Sequence, residues 1–225
     1  MHIEPGIVTG SKLTLSYITA AGSIGLIFKA VIHSFNISQL KNAVPALSRC
    51  VATTLLTICF FELLPHRPVG VSEVHLILGS TLFLLFGVTA AAIGLICGLC
   101  FQSFFIAPFD IPQLGMNITT LLVPLFAMSQ IAKRVIPVDT PYKDLCYRQT
   151  LKLSITYQSG IISWVTFWAI YGQGLTVANI SNIASFATAY ATVILVEPLV
   201  DLAVLKGVKS WHKVENTFFL NEKLF

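Results

Sequence analysis

The sequence predicts an all-α, polytopic membrane protein. Of its 225 residues, 55% are hydrophobic and only 11% are charged, and the mean hydropathy is +0.80. An ordinary soluble domain carries about 25% charged residues, so this chain has too little charge to solvate a globular surface. Apolar segments of about 20 residues, the length that crosses a bilayer as a helix, recur along the chain. We therefore expect a multi-pass protein of the cell membrane.

The apolar segments define the predicted spans in order. The first, 13–32, follows Ser11, and the second, 43–64, ends at a proline-containing link. The uncharged stretch 74–107 is too long for one span, so a split near Gly87 predicts two compact helices there. The last three spans are 111–132, 151–171 and 180–205. Together they make about seven transmembrane helices in one domain, 1–225, with a tail at 206–225.

The distribution of Lys and Arg predicts the orientation. Cytoplasmic loops of membrane proteins are enriched in these residues. The link between the fifth and sixth spans is the most basic, with Lys133, Arg134, Lys143, Arg148 and Lys152, and the tail carries Lys206, Lys209 and Lys213. Both are expected in the cytoplasm, which places the N-terminus outside. Lys12 is one exception to this pattern.

Several functional classes are excluded. The net charge of +4 is scattered and forms no run typical of nucleic-acid binding. No GxxxxGK[ST] motif is present, so the chain cannot drive transport with ATP by itself. The pair Cys97 and Cys100 shares a helical face but has no second pair or nearby histidine, and packing is its simplest role. No basic region followed by an apolar core marks a signal peptide, so we expect the amine of Met1 to be free.

Met1 and His2 have the spacing of a metal chelate. A free terminal amine, the backbone nitrogen of residue 2 and the His2 imidazole form adjoining chelate rings, and one further imidazole would complete a square. Square-planar nitrogen ligation suits Ni(II) and Cu(II), and Co(II) can be accommodated. The amine deprotonates readily, since its reference pKa is about 7.7–8.0. The alternative is that His2 is an ordinary residue on a frayed terminus.

His75 is a second candidate functional residue. It lies at the outer end of the third span, on the face predicted for the N-terminus, and is followed by an uncharged run. An ionisable group at membrane depth is a functional candidate by default. The alternative is a neutral histidine that hydrogen-bonds between helices. His66, between two prolines, is interpreted as a loop residue, and Asp110 as part of an outer turn.

Other polar residues in the spans leave their roles open. Gln102, Gln113 and Asn117 either hydrogen-bond between helices or support metal ligands. Glu197 and Asp201 lie four residues apart on one face of the last helix. They line a polar interior or lie at the cytoplasmic end, where we expect Asp201 near water.

Several motifs together resemble the substrate-binding membrane subunits of energy-coupling-factor cobalt and nickel transporters, the CbiM/NikM family. Met1-His2-Ile3-x-x-Gly6 resembles their N-terminus, and His75-Leu76 resembles a histidine at the head of a helix. Gln102-x-x-Phe105, Leu114-Gly115-x-Asn117 and Glu197 are similar to further family motifs, in the same order.

The resemblance implies a seven-helix fold whose N-terminus, residues 1–12, inserts from the outside as a metal-binding segment. It implies ligation of Co(II) or Ni(II), as the transported substrate, by Met1, His2 and His75. Gln102, Asn117 and Ser72 would support these ligands, and no organic cofactor is expected. The implied partners are a membrane coupling subunit, cytoplasmic ATPases and often a small accessory membrane protein.

The chain departs from the family pattern at residues that would surround the ligands. The family's Asp-Gly-Gly turn is replaced by residues 107–112, and Glu73 stands where a small or hydroxyl residue is usual. These departures leave the predicted ligands unchanged. Two other functions remain alternatives: a membrane-embedded, metal-dependent enzyme that uses His75 with Glu197, and a structural scaffold. The enzyme has little support, because no HExxH or similar motif is present.

Overall fold

A computed structural model describes residues 3–34, 43–210 and 220–224. Their α-helices are α1 (Leu13–Ser34), α2 (Ala43–Glu62), α3 (Gly79–Phe86), α4 (Val88–Phe101), α5 (Leu114–Val135), α6 (Tyr147–Gln173) and α7 (Val177–Ser210). A short antiparallel hairpin, β1 (Arg67–Val69) and β2 (Ser72–Val74), lies between α2 and α3. The predicted all-α membrane fold is confirmed. Three segments of the described chain have the length and hydropathy of a full membrane crossing: Val44–Glu62, Val88–Ile106 and Pro108–Val135.

Contacts between the helices order the bundle. α1 and α5 run in the same direction, because Gly115 lies against Ser16 and, one turn later on each helix, Thr119 lies 3.2 Å from Thr19 between hydroxyl oxygens. α2 and α4 are also parallel: Thr53, midway along α2, donates to the Ala90 carbonyl near the start of α4, and Gln102 donates to Glu62 where both helices end. α6 and α7 are antiparallel. Successive crossings therefore alternate in direction, as repeated passage through a bilayer requires.

The two ends of the bundle have different compositions. At one end, called here the hairpin end, residues 3–12 and the β1–β2 hairpin pack together. The Lys12 ammonium also lies there and donates to the carbonyls of Tyr171 (2.9 Å) and Gly172 (3.0 Å). These carbonyls end α6, where a cation is favourable, which explains the exceptional position of Lys12. At the opposite, basic end, Lys209 pairs with Asp144 at 2.5 Å.

The core lies between α3, α5, α6 and α7. Its largest fully buried side chains are aromatic, and they include Trp168, Tyr157, Tyr190 and Phe186. Large apolar side chains such as Phe28, Phe105 and Leu199 remain exposed on the outside of the bundle. Exposed apolar area of this extent is costly in water but favourable against lipid, since acyl chains are as apolar as these side chains.

The segment 74–107 differs from the predicted pair of compact helices. Its break at Gly87 is confirmed, with φ 85° and ψ 164°. Its second half is a helix, α4, continued by a π-helical turn at Gln102–Ile106. Its first half is not a span of helix: residues 75–78 have no regular secondary structure, and α3 has only 8 residues. A helix of that length covers about 12 Å, far less than the bilayer core.

The distance that the chain must cover along α7 explains why α3 begins only at Gly79. Gly70 touches the backbone of Asn182, whereas Ser80 bonds Glu197 further along α7. On a helix these two α7 residues are about 22 Å apart along the axis, and a helix over residues 70–80 would cover only about 15 Å. Extended residues advance about 3.3 Å each, so partly extended chain closes the gap. The prediction of helix from residue 74 is therefore wrong for 74–78.

Replacing Gly70 with alanine is expected to destabilise the protein. Gly70 has φ +66°, and a Cβ there would overlap the Asn182 carbonyl. A left-handed conformation at a non-glycine residue costs on the order of 1–3 kcal/mol, before the overlap is relieved. Thermal unfolding of the detergent-solubilised protein should show a lower midpoint for Gly70→Ala. Gly25→Ala, in open space on α1, is the control and should not lower it. An unchanged midpoint for Gly70→Ala would contradict this packing.

Candidate metal-binding site

The first described residues extend the β1–β2 hairpin. Ile3 forms an antiparallel bridge with Ser72, and the Glu4 amide donates to the Val71 carbonyl at 3.2 Å. The Ile3 side chain is fully buried in the core. The N-terminal segment is thus held by backbone hydrogen bonds and by an apolar anchor at the hairpin end of the bundle.

Asn117 fixes the same segment from the other side. It lies in the first turn of α5, is fully buried, and accepts the Ile3 amide on Oδ1 at 3.0 Å. The sequence left open whether Asn117 hydrogen-bonds between helices or supports a site. Its observed partner is the backbone of the N-terminal segment, one residue after His2. Ser72, predicted as a supporting residue, likewise acts on Ile3 through the backbone.

His75 follows β2 in the segment without regular structure, so it does not begin a helix as predicted. Its side chain is 1% exposed. Its Nε2 lies 3.5 Å from a carboxylate oxygen of Glu73, and the ring packs edge-on against Phe61. The His66 ring stacks on it, with centroids 4.8 Å apart and planes 7° from parallel. Buried imidazole at a polar edge of the bundle is a common setting for a metal ligand.

The interpretation of His66 as a loop residue without a part in the site is therefore incomplete. It does lie between α2 and β1, but its ring covers that of His75. The sequence contains one signal of this arrangement. Two histidines flank a segment with Pro68 and Gly70, and these residues are typical of tight turns that bring flanking side chains together.

Three acidic side chains, those of Glu4, Glu73 and Asp110, also lie at the hairpin end. Burial raises the pKa of the Glu4 carboxyl above 4.5, and the charge of Glu73 raises it further. The two carboxylates are therefore close enough to repel each other. Asp110 is buried in a short 3-10 helix at Pro108–Gln113, in the outer turn that the sequence predicts. Clustered negative charge of this kind attracts cations to the end of the bundle.

Gln102 lies at the end of α4 and hydrogen-bonds between helices, one of the two roles that the sequence left open. Its amide nitrogen donates to Glu62 at 2.7 Å, and its amide oxygen is buried with no partner in the described chain. Glu62 is the one acidic residue within the predicted span 43–64, and this was an available signal. Gln102 thus links α2 to α4, and its amide oxygen accepts no hydrogen bond within the described chain.

Two predicted ligands, Met1 and His2, lie outside the described residues. In the part of the chain that the structure describes, no group of three His, Cys, Asp or Glu side chains is placed to share a metal ion. The pair Cys97 and Cys100 forms no disulfide, and Cys97 lies on the exposed face of α4.

Glu197 and Asp201 occupy the interior, and neither is exposed. The expectation of Asp201 near water is wrong, because the first turn of α3 covers it. Glu197 hydrogen-bonds Ser80 of α3 and Ser154 and Gln158 of α6.

The fold is that of a known class of membrane transporter. A solved structure described as the crystal structure of a transition metal transporter superimposes with a TM-score of 0.67, covering 96% of this chain and 95% of that chain. The sequence identity is 18%, so the likeness is one of fold. No curated protein matches the sequence.

The family follows from the sequence itself. The family model for CbiM, the cobalt uptake substrate-specific transmembrane region, matches residues 2–213. The chain therefore belongs to this family and is a multi-pass membrane component of cobalt uptake. The resemblance drawn from the motifs is confirmed at the level of the family.

Removing the Asn117 acceptor should loosen the N-terminal segment. Asn117→Ala is expected to speed amide hydrogen exchange at Ile3 on the order of fivefold, since one hydrogen bond contributes about 1 kcal/mol net. Asn117→Asp keeps an acceptor oxygen at the same position and should restore most of the protection. Equal exchange at Ile3 in the wild-type protein and Asn117→Ala would show that this bond does not hold the segment.

Proposed function

We propose that the chain is the metal-binding subunit of an ATP-driven energy-coupling-factor importer for Co(II) or Ni(II). In this proposal the ion is held by the Met1 amine, the backbone nitrogen and imidazole of His2, and the imidazole of His75. The chain is not an enzyme. It captures the ion, and partner subunits hydrolyse ATP.

The anchoring of Ile3 carries the proposal. Ile3 is bonded to Asn117 and bridged to Ser72, and Ser72 begins the strand that leads to His75. Residue 2 is covalently joined to Ile3, so this anchor limits how far His2 can lie from the His75 ring. Ile3, Ser72 and Asn117, which are far apart in the chain, are thereby held at one end of the bundle. This supports a chelate at that end.

The chemistry of the ligand set agrees with the charges around it. Three neutral nitrogens and one deprotonated amide would leave a divalent ion with a net charge near one. That lowers the cost of placing it beside an apolar bundle. Glu73, near the His75 ring, and Glu4 would balance the remaining charge. Their mutual repulsion would be relieved by a cation at this end.

The supporting residues have separate parts in this proposal. Asn117 and Ser72 hold the backbone of Ile3, which follows His2, and Gln102 joins the ends of α2 and α4. Outer residues of this kind orient metal ligands and tune affinity. The divalent affinity order puts Cu(II) above both Co(II) and Ni(II), so geometry and metal supply would set the choice among them.

The first test measures metal binding directly. Purified protein should hold about one Co(II) or Ni(II) per chain, with nitrogen-rich ligation by X-ray absorption. His2→Ala, His75→Ala or a tag fused ahead of Met1 should each abolish binding, because each removes a ligand. The measurement is metal content after ultrafiltration.

Matched variants separate ligand loss from general damage. His33→Ala, at the far end of α1 from the hairpin, and a tag fused after Phe225 should leave binding intact. Full binding by protein with an N-terminal tag would overturn the proposed ligand set, whatever metal is found.

The second test concerns the partners. Because the chain lacks a nucleotide-binding motif, uptake requires other subunits. Genes for a membrane coupling protein and for ATPases, with or without a small accessory membrane protein, are expected beside the gene for this chain. Neighbouring genes for hydrolase substrates or assembly factors would instead favour the enzyme or scaffold alternatives.

A further inference from the structure

A second polar cluster lies in the core, away from the proposed metal site. It joins Glu197 and Asp201 of α7 to the first turn of α3. We infer that Glu197 and Asp201 are positioning residues, which clamp α3 at the depth that presents His75 to the metal. This inference rests on the proposed function, in which His75 is a ligand.

Glu197, on α7, hydrogen-bonds both α3 and α6. One carboxylate oxygen accepts the Ser80 amide of α3 at 3.3 Å, and the other accepts the Ser154 hydroxyl at 2.9 Å and the Gln158 amide at 2.6 Å. The Ser80 amide belongs to the first turn of α3, where amides have no acceptor within the helix. The helix dipole also favours a negative group at this end. Glu197 thus satisfies α3 and ties it to α6.

Asp201 adds a second pair of bonds one turn later on α7. Its oxygens accept the Ser80 hydroxyl at 2.6 Å and the Thr81 hydroxyl at 2.5 Å. Gly79, the first residue of α3, lies against the Tyr157 ring so closely that a Cβ would overlap it. Hydrogen bonds on one side and contact with an aromatic ring on the other leave α3 little freedom to slide along α7.

Only four residues separate His75 from Ser80 of this clamp. Residues 70–80 must cover a distance that a helix over the same residues would not reach. The far end of that stretch is held as well, because Gly70 touches the Asn182 backbone. His75 lies between the two attachments, in the segment without helical bonds. A shift of α3 along α7 is therefore passed to the His75 ring.

In the described chain, the hydrogen-bond partners of Glu197 and Asp201 are hydroxyls and amides. Burying two carboxyl groups in an apolar core is costly. These two side chains accept five hydrogen bonds, three from donors at the start of α3 and two from donors on α6. This match is a reason to expect a positioning role.

The test compares variants that break the clamp without touching a ligand. Thr81→Val removes one donor and keeps the side-chain shape, and Asp201→Ala removes both acceptors. Each should lower Co(II) affinity about tenfold or more, the usual effect of losing a residue that orients a ligand. Each should also reduce the imidazole contribution in X-ray absorption and speed amide exchange over Gly79–Phe86 in metal-free protein.

The control and the size of the imidazole loss make the result specific. Thr188→Val alters an exposed threonine of α7 that bonds within its own helix, and it should change none of these quantities. In X-ray absorption, Asp201→Ala should reduce the imidazole contribution from two rings towards one, because His2 belongs to a different part of the chain from the clamped α3. Loss of both imidazoles would show a general structural role and overturn the inference.

The outcomes also separate this inference from the proposed function. Faster exchange over α3 with unchanged affinity and imidazole content would refute the positioning role and leave His75 as a ligand. Unchanged exchange over α3 in both variants would refute the clamp itself. Full metal binding by His75→Ala would refute the proposed function, while the exchange data would still report whether the clamp exists.

Discussion

Backbone amides and carbonyls cannot remain unpaired inside a bilayer, yet residues 75–78, within the predicted third span, are not helical. Non-helical backbone at that depth is stable only where protein surrounds it. Residues 75–78 meet this condition, since His75, Ile77 and Leu78 are buried against the bundle. On either side of these residues, the hairpin and α3 pair the backbone amides and carbonyls in regular secondary structure. The rest of the architecture, from the short α3 to the anchored N-terminus, follows from protecting this segment.

The two ends of the predicted third span have different roles. At the hairpin end lies the His75 imidazole, in contact with the rings of Phe61 and His66 and beside carboxylates that attract cations. In the core, α3 is held by acids that face hydroxyls and amides rather than metal. Similar carboxyl groups thus have different parts, and the donors that surround each one decide which part it has.

Much of the fold was predictable because hydrophobicity is a local property. The boundaries of α1, α2 and α6 agree with the apolar segments within a few residues, and Gly87 marks the break before α4. The start of α3 was not predictable, since the apolar run 74–86 suits a helix as well as a buried extended chain. Only the distance that the chain must cover along α7 selects the extended form. The positions of His66 and Glu62 were missed for the same reason, because their partners are distant in sequence.

The sequence by itself determined the solvent of this protein, its family, and the residues that the proposal assigns to a metal: Met1, His2 and the histidine that precedes an uncharged segment. Tertiary structure decided which buried polar residues contact each other. Asn117 turned out to bond the backbone of Ile3, and Asp201 proved to be buried under α3 rather than near water. Composition sets what each segment can bury, but hydrogen-bond partners across a hundred residues are chosen by packing, which no local pattern contains.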